Sequence, residues 1–394
     1  MAVTMASADQ ILKIVYRELL ANQLNIETDP LYNAIESSTE GVTGKEVRVA
    51  APFGVNGGIG AGAEVGPLPK SNGNQYQQFV STLKNLYGTL SISDKSIKAT
   101  SNNEGAFITL LESEIEGLKK TAKFNLSRML YGDGVGIIAT AKGAVTSQLT
   151  IPIDGYKYLI EGLTIDILSA STHAPVTNGA GRRILNVNRG ATPSITLDTD
   201  GGNVTLEGTE IITVQQSYNM EIIGLKEIFK NTGALYGVDR SANYWMVPYM
   251  QSSIGAISDV KIQAAIDYLD EVAGSKVNFL LCSSGVKRAY QAYMESTKRN
   301  VNTLNLSGGF TALSYNNQPL VSSKFAPTGT LKLLDTTKFT QYNMGDWDWL
   351  QGTMGAILTQ VAGTPLWGAT LVKYCELICK HPGGQAELSG VTES

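Results

Sequence analysis

Near its C-terminus the chain carries Cys375, Cys379 and His381, side-chain types that hold transition metals. Their spacing argues against a shared ion. The run Leu366–Lys380 reads as one long strand, and at ~3.3 Å per residue the two cysteines lie roughly 13 Å apart. Thiolates on one zinc each need about 2.3 Å to the metal, so the pair reads as structural cysteines facing a core. His173 and His381 are the only histidines. Both sit in Pro-adjacent loop contexts, whereas a triad needs its imidazole set on a scaffold beside a nucleophile; they read as solvated loop residues. Asp346-Trp347-Asp348-Trp349 puts two carboxylates on one face if extended. That pair could hold a cation, but a hairpin edge with both tryptophans packed inward is the simpler reading. Gly54, Gly57, Gly58, Gly60, Gly62 and Gly66 fit neither the dinucleotide fingerprint nor a Walker A loop. No capped helix follows them to offer an N-terminal dipole to phosphate. Gly132-Asp133-Gly134 follows a helix, the wrong polarity for a nucleotide turn. No general acid/base pair stands out. No catalytic residue, cofactor site or metal ligand is therefore assigned, and the chain is expected not to be an enzyme.

Composition points the same way. The 394 residues suffice for two or three domains, and 43% hydrophobic content allows real cores. A net charge of −4 argues against a nucleic-acid binder that works by counterion release. Only 17% of residues are charged, alongside 41 Gly and 17 Tyr, a surface suited to burial against copies of itself. Three cysteines imply no disulfide framework and a reducing compartment at synthesis. The start, MAVTMASADQ, lacks the basic and apolar regions of a signal peptide. No stretch reaches the about 18 apolar residues of a transmembrane helix.

With no chemistry to position, the question becomes what the elements build. Glu104–Tyr131 is the longest helical pattern. Phe107, Leu110, Leu111, Ile115, Leu118, Ala122, Leu126, Met129 and Leu130 recur at steps of three and four, one helix face. Glu112, Glu116, Lys119, Lys120, Lys123 and Arg128 fill the other. Such a rod is roughly 40 Å long, against a mean helix of about 11–12 residues. Gly132-Asp133-Gly134 stops it.

Before it, Ser7-Ala8-Asp9-Gln10 is a capping box opening a helix to about Leu24, with Ile11, Ile14, Val15 and Leu19 on one face. Leu31–Ser37 adds a helical turn. From Glu46, strand patterns at Val47–Val49, Gln75–Val80 and Tyr87–Ile92 flank a glycine-rich tip with few large apolar side chains, which predicts a long protruding hairpin. After the rod, 141–216 holds short strands at Gln148–Ile151, Leu163–Leu168, Arg183–Val187, Ser194–Leu197 and Glu210–Val214, separated by Asn178-Gly179, Asp200-Gly201-Gly202 and Glu207-Gly208. That rhythm predicts a small barrel or sandwich. Met220–Ile223 reads as a returning strand and Leu225–Phe229 as a helical turn. Further on, Ser258 caps a helix to about Ala273 and Ser284 another to about Lys298, around the buried strand Val277–Cys282. Phe310–Tyr315 and Leu320–Ser323 form a hairpin across Asn316-Asn317, and Thr330–Leu334 and Phe339–Tyr342 are strands. The tail from Gly383 is expected to be mobile.

This order of parts resembles the major capsid protein of tailed phages, the HK-ninety-seven-type fold that encapsulin shells also use. The stretch NQPLVSSKFAPTGTLKLLDTTKF resembles the family's A-domain; YLIEGLTIDI and NMEIIGLKEIF resemble phage coat proteins with an inserted β-barrel. The resemblance implies an α+β fold with an N-terminal arm at 1–45, an E-loop hairpin at 46–100, and a P-domain with spine helix at 101–140 and 365–394. It further implies an inserted all-β barrel at 141–216, a connection at 217–254 and an A-domain at 255–364. Phe107, Leu111, Ile115, Leu118 and Leu126 would form the core face of the spine. Gly54, Gly57, Gly58, Gly60, Gly62, Gly66 and Lys70 would form the assembling tip. Some members cross-link an E-loop lysine to a neighbour's asparagine, and Lys70 stands where that lysine would. The implied partners are copies of the chain in hexamers and pentamers, a portal, a decoration protein, and a separate scaffolding protein, since no long charged helical leader precedes residue 45. The implied setting is a virion capsid, assembled in the host cytoplasm without a membrane. It encloses double-stranded DNA without sequence-specific binding, which mild negative charge on an inner wall would favour. The rivals are an encapsulin shell enclosing protein cargo, and a β-rich enzyme or adhesin.

Overall fold

A computed structural model describes residues 29–95, 104–297, 303–305, 311–351 and 357–394, with 104–113, 303–305 and 311–312 as backbone only. The predicted capping box at Ser7–Gln10 and its helix lie outside the described residues. So do the side chains of Phe107, Leu110 and Leu111. Pro30–Ala34 is a helical turn, with Leu31 fully buried, but it is shorter than the turn expected over Leu31–Ser37, because Glu36–Ser38 is a strand. The chain divides into two units. One comprises residues up to Asn33, Lys84–Leu225 and Gly345–Tyr374; the other comprises Ala34–Leu83, Lys226–Met344 and Cys375–Ser394.

In the first unit the helix Glu104–Met129 ends where the glycines predicted, with Gly132 N–H donating to the Met129 carbonyl and Gly134 at φ +82°. Ile115 and Leu126 are buried and Leu118 is half-buried. The strand Lys84–Ser93 crosses this helix at Gly88, where a Cβ would lie 2.9 Å from Leu118 Cδ1. A side chain there would have to displace the Leu118 methyl. The same strand pairs with Leu366–Cys379, so it is no arm of the hairpin, contrary to the sequence reading. Arg128 is a second correction. It does not lie on a solvated face but is buried, its guanidinium donating to both carboxylate oxygens of Glu221 at 2.8 and 2.5 Å. Helical periodicity identifies the face a residue occupies but not a partner 93 positions away.

Within this unit, 137–214 forms a six-stranded sheet in the order Ile137–Thr140, Ile211–Val214, Thr164–Leu168, Arg182–Asn188, Ser194–Leu197, Thr150–Pro152. Val145–Gln148 and Val204–Leu206 pair separately. The predicted strand at Gln148–Ile151 is thus two strands with a break between them, and the sheet starts at Ile137, four residues before the expected boundary. Its core gathers Ile151, Ile165, Ile167, Ile184, Ile195, Leu197 and Ile212 among others. Buried Arg182 ties the turns together, donating to Asp198 Oδ1 and to the carbonyls of Asn178 and Gly202, each at 2.7 Å. Burial alone would raise the Glu210 carboxyl. The backbone N–H groups of Glu207, Gly208 and Thr209 outweigh it and hold the group below its ordinary value. Met220–Ile223 is not a strand; Ser217–Met220 turns, and Ile222 alone of its apolar pair is buried.

The second unit is built on a seven-stranded sheet among the described residues. Its order is Tyr249–Gln251, Ala386–Leu388, Leu331–Leu334, Phe279–Cys282, Gln318–Ser322, Thr311–Tyr315, Thr303–Asn305. The helices Asp259–Tyr268 and Ser284–Thr297 cover it with Ile262, Val286, Tyr290 and Met294, joined by Leu269 from the helical turns Leu269–Ala273 that follow the first. Asn316 and Asn317 both take positive φ, the mirror-image turn that suits a two-residue hairpin. The tail is not mobile, as had been expected. Ala386 and Leu388 are fully buried in the middle of the sheet. Glu393 accepts from the Gly329 N–H at 2.6 Å and from the Ser283 hydroxyl. A run of three alternating residues between Gly-rich flanks is too short for its burial to show in the pattern.

Two outcomes are expected. Glu221→Ala strands a buried guanidinium and should cost ~3–5 kcal/mol in chemical denaturation, whereas Arg128→Met with Glu221→Leu should come close to the parent. A loss below 1 kcal/mol for the single change would show the pair to be hydrated. A fragment of residues 137–216 should give a β-type circular dichroism spectrum and a cooperative melt, and a random-coil spectrum would show that its core needs the rest of the chain.

Candidate functional site

The residues that could have done chemistry are each held in structural roles. Cys282, Cys375 and Cys379 are buried free thiols, and burial pushes Cys282 and Cys379 up to about 12. Asp346 accepts from the Trp347 N–H at 2.8 Å and pairs with Lys373 at 3.2 Å. Asp348 accepts from the Trp349 N–H at 2.8 Å, and both indoles are buried. His173 is exposed and stacks on Tyr218 at 4.9 Å. His381 is half-buried, not a solvated loop residue as the sequence suggested; burial first, then the charge of Lys338, holds its imidazole below its ordinary value. Among the described residues no group of three or more His, Cys, Asp or Glu is placed to hold a metal, and no helix is long and apolar enough to cross a membrane.

What remains is the hairpin. Glu46–Gly54 and Gln75–Thr82 pair in antiparallel register from Glu46↔Thr82 to Gly54↔Gln75, with an irregularity between Pro52 and Gly54. Burial fades along it. Val47, Ala51, Phe79 and Ser81 are buried at the base, while Pro52, Phe53, Gln75 and Tyr76 are exposed. Residues 55–74 then continue without strand structure. Asparagine side chains replace the ladder there. Asn56 N–H donates to Asn74 Oδ1 at 2.8 Å, and Asn56 Oδ1 accepts from the N–H groups of Gly58 and Asn72 at 3.0 and 3.1 Å.

The tip glycines meet different surroundings. At Gly58 a Cβ would lie 2.9 Å from the Ser71 α-carbon, so glycine lets the two arms meet backbone to backbone. Gly57 and Gly62 have open space around them, and Gly66 only ordinary contact with Ala63. Lys70 is exposed. The tip also carries large apolar groups that a count of glycines hides. Val55, Ile59, Val65 and Leu68 are exposed by 86, 95, 95 and 88%. Four such side chains thus stand in solvent within fourteen positions. They are legible in the sequence once the flanking strands are placed.

The base of the hairpin involves residues that sequence reasoning missed. Val80 N–H donates to the Tyr236 carbonyl at 3.0 Å, and Ser81 Oγ to buried Glu376 at 3.2 Å. The Tyr236 hydroxyl donates to the Leu377 carbonyl at 3.0 Å and accepts from the Cys379 N–H at 3.1 Å. Trp245 stacks on Phe53 and on Phe79, with centroids 5.4 and 6.0 Å apart.

No protein-family model matches the chain, and no curated protein matches it. Solved structures do. A chain of the cyanophage A-1(L) capsid asymmetric unit is similar over 92% of this chain and 91% of that one, at 10% identity and a TM-score of 0.53. A chain from the capsid of a native GTA particle covers 94% and 91% at 10% identity and 0.47. The holo-SrpI encapsulin complex from Synechococcus elongatus covers 93% and 89% at 10% identity and 0.46. The likeness to the cyanophage chain extends over both units, and what it establishes is the fold: this α+β chain folds as a phage capsid chain does.

Proposed function

We propose that this chain is the major capsid protein of a tailed bacteriophage, a structural and non-enzymatic subunit that self-assembles into the icosahedral shell around the genome. The observation that carries the reading is the hairpin tip. Val55, Ile59, Val65 and Leu68 stand in solvent on a segment that makes its own hydrogen bonds through Asn56 and Asn74 but covers none of those four side chains. Burying each against a second copy would contribute ~1.5–3 kcal/mol. The capsid-type fold supports the same reading, because a closed shell presents every copy with a neighbour in the same place.

Under this reading Glu46–Thr82 is the E-loop, Glu104–Met129 the spine helix, and the sheet unit beginning at Ile137 the inserted β-barrel. The A-domain is the seven-stranded sheet with its two helices. Hexamers and pentamers, a separate scaffolding protein, a portal and a decoration protein complete the assembly. DNA is enclosed and not read, in line with a net charge of −4.

Replacing Val55–Asn72 with a short Gly-Ser turn should leave the subunit folded, its melting temperature within a few degrees of the parent. The fast-sedimenting shells should disappear. Normal shells from the shortened chain would remove the hairpin as an intersubunit clamp. An unfolded subunit would place the tip in a core. Electron micrographs of the parent showing DNA-filled shells with a portal vertex support the phage reading; shells filled with protein cargo would assign an encapsulin instead.

A further inference from the structure

The hairpin must leave its unit in one direction if its tip is to meet a neighbour in register, and ladder hydrogen bonds do not fix that direction. A two-stranded ribbon twists and bends easily unless a face is packed. Here one face is buried from Val47 to Ala51 and at Phe79 and Ser81, and an aromatic stack caps it toward the tip. Phe79 lies opposite Val49 in the ladder, while Phe53 lies four residues further toward the tip on the other strand. The indole of Trp245 stacks on both, nearly parallel to each: 10° from Phe53 and 3° from Phe79. One rigid plane therefore bridges the two strands diagonally, from buried Phe79 to half-exposed Phe53, two residues beyond Ala51, the last buried residue on its strand.

Trp245 is itself held. Its Nε1 donates to Asn243 Oδ1 at 3.3 Å, and Asn243 Nδ2 donates to the Asp239 carbonyl at 2.9 Å. Arg240, fully buried, donates to the carbonyls of Thr232 and Glu227 at 3.1 and 2.6 Å, fixing the loop that carries the tryptophan. Behind it, Gly383 abuts the Trp245 carbonyl where a Cβ has no room. Phe79 is backed in turn by Tyr236 at 5.4 Å.

We propose that Trp245 is the positioning residue of the hairpin: by stacking on Phe53 and Phe79 it sets the direction in which the tip leaves its unit, and so the fit of the tip to a second copy of the chain. This rests on the shell reading for its consequence, though not for its local effect. Trp245→Ala releases both strands where the stack bridges them. Trp245→Phe keeps an aromatic plane in place.

The test joins hydrogen exchange on unassembled subunits to sedimentation of assembled material. In Trp245→Ala, amides of Ala50–Gly54 and Gln75–Val80 should exchange about 2- to 10-fold faster, the range expected for lost aromatic stacking. Those of Phe279–Cys282 should not change, and shell yield should fall by the same order or more. Trp245→Phe should restore both readouts. Parental exchange in the hairpin, or parental shell yield from Trp245→Ala, overturns the proposal. If Trp245→Ala does not fold, Phe53→Ala, at a half-exposed position, gives the same two readouts with the same meaning. If the parent chain forms no shells, the shell reading falls, and the exchange data alone decide whether Trp245 steers the hairpin.

Discussion

Fourteen consecutive residues, Leu366–Cys379, supply ladder bonds to each unit in turn. In the first unit the strand pairs with Lys84–Ser93, Asp348–Trp349 and Thr359–Gln360. In the second, its last five residues pair with Phe339–Asn343, which pairs with Glu36–Ser38. A strand used on both edges and buried over most of Leu371–Cys379 leaves little room for an unsatisfied polar group. Its two buried charged residues are accordingly matched inside their own units. Lys373 meets Asp346 and the Tyr32 hydroxyl, at 3.2 and 3.3 Å. Glu376 accepts from Ser81 Oγ and from the Leu377 N–H. Cys375 and Cys379 on the same strand are buried, small, weakly polar side chains that fill core positions.

The hairpin answers to a different balance. Its base satisfies itself through Phe79, Tyr236 and Trp245, while its tip satisfies only its backbone. Ordering twenty residues costs far more than three side-chain-to-backbone hydrogen bonds return, so the tip's conformation is completed by whatever covers its apolar side chains. The hairpin thus joins a packed root to an end that its own unit leaves uncovered.

Most of the long helix, the two helices beside the buried strand, and the Asn316-Asn317 turn were legible because each depends on residues within a few positions of one another. The losses share the opposite property. Arg128 looked like surface because Glu221 is distant in sequence. Ala386–Leu388 looked like a tail because its two flanking strands come from residues 249–251 and 331–334. Lys84–Ser93 was joined to the hairpin because its real partner lies near the other end of the chain. At the tip the error was one of emphasis: glycines drew attention from Val55, Ile59, Val65 and Leu68, which stand in the same stretch. Trp245 gave no signal, since a stack formed with residues 166 and 192 positions earlier follows no local period.

The placement of Ala386–Leu388 also bears on timing. This strand is interior: it separates Tyr249–Gln251 from Leu331–Leu334, bonding parallel to one and antiparallel to the other. During translation the earlier strands emerge first, and the gap between them stays open until residue 388 has left the ribosome. Closing it requires contacts of high sequence separation, the slow kind. Until then Tyr249–Gln251 and Leu331–Leu334 each keep an edge whose backbone groups have no ladder partner. Such edges are templates for pairing with another chain, so the arrival of Ala386–Leu388 removes a site of misassembly.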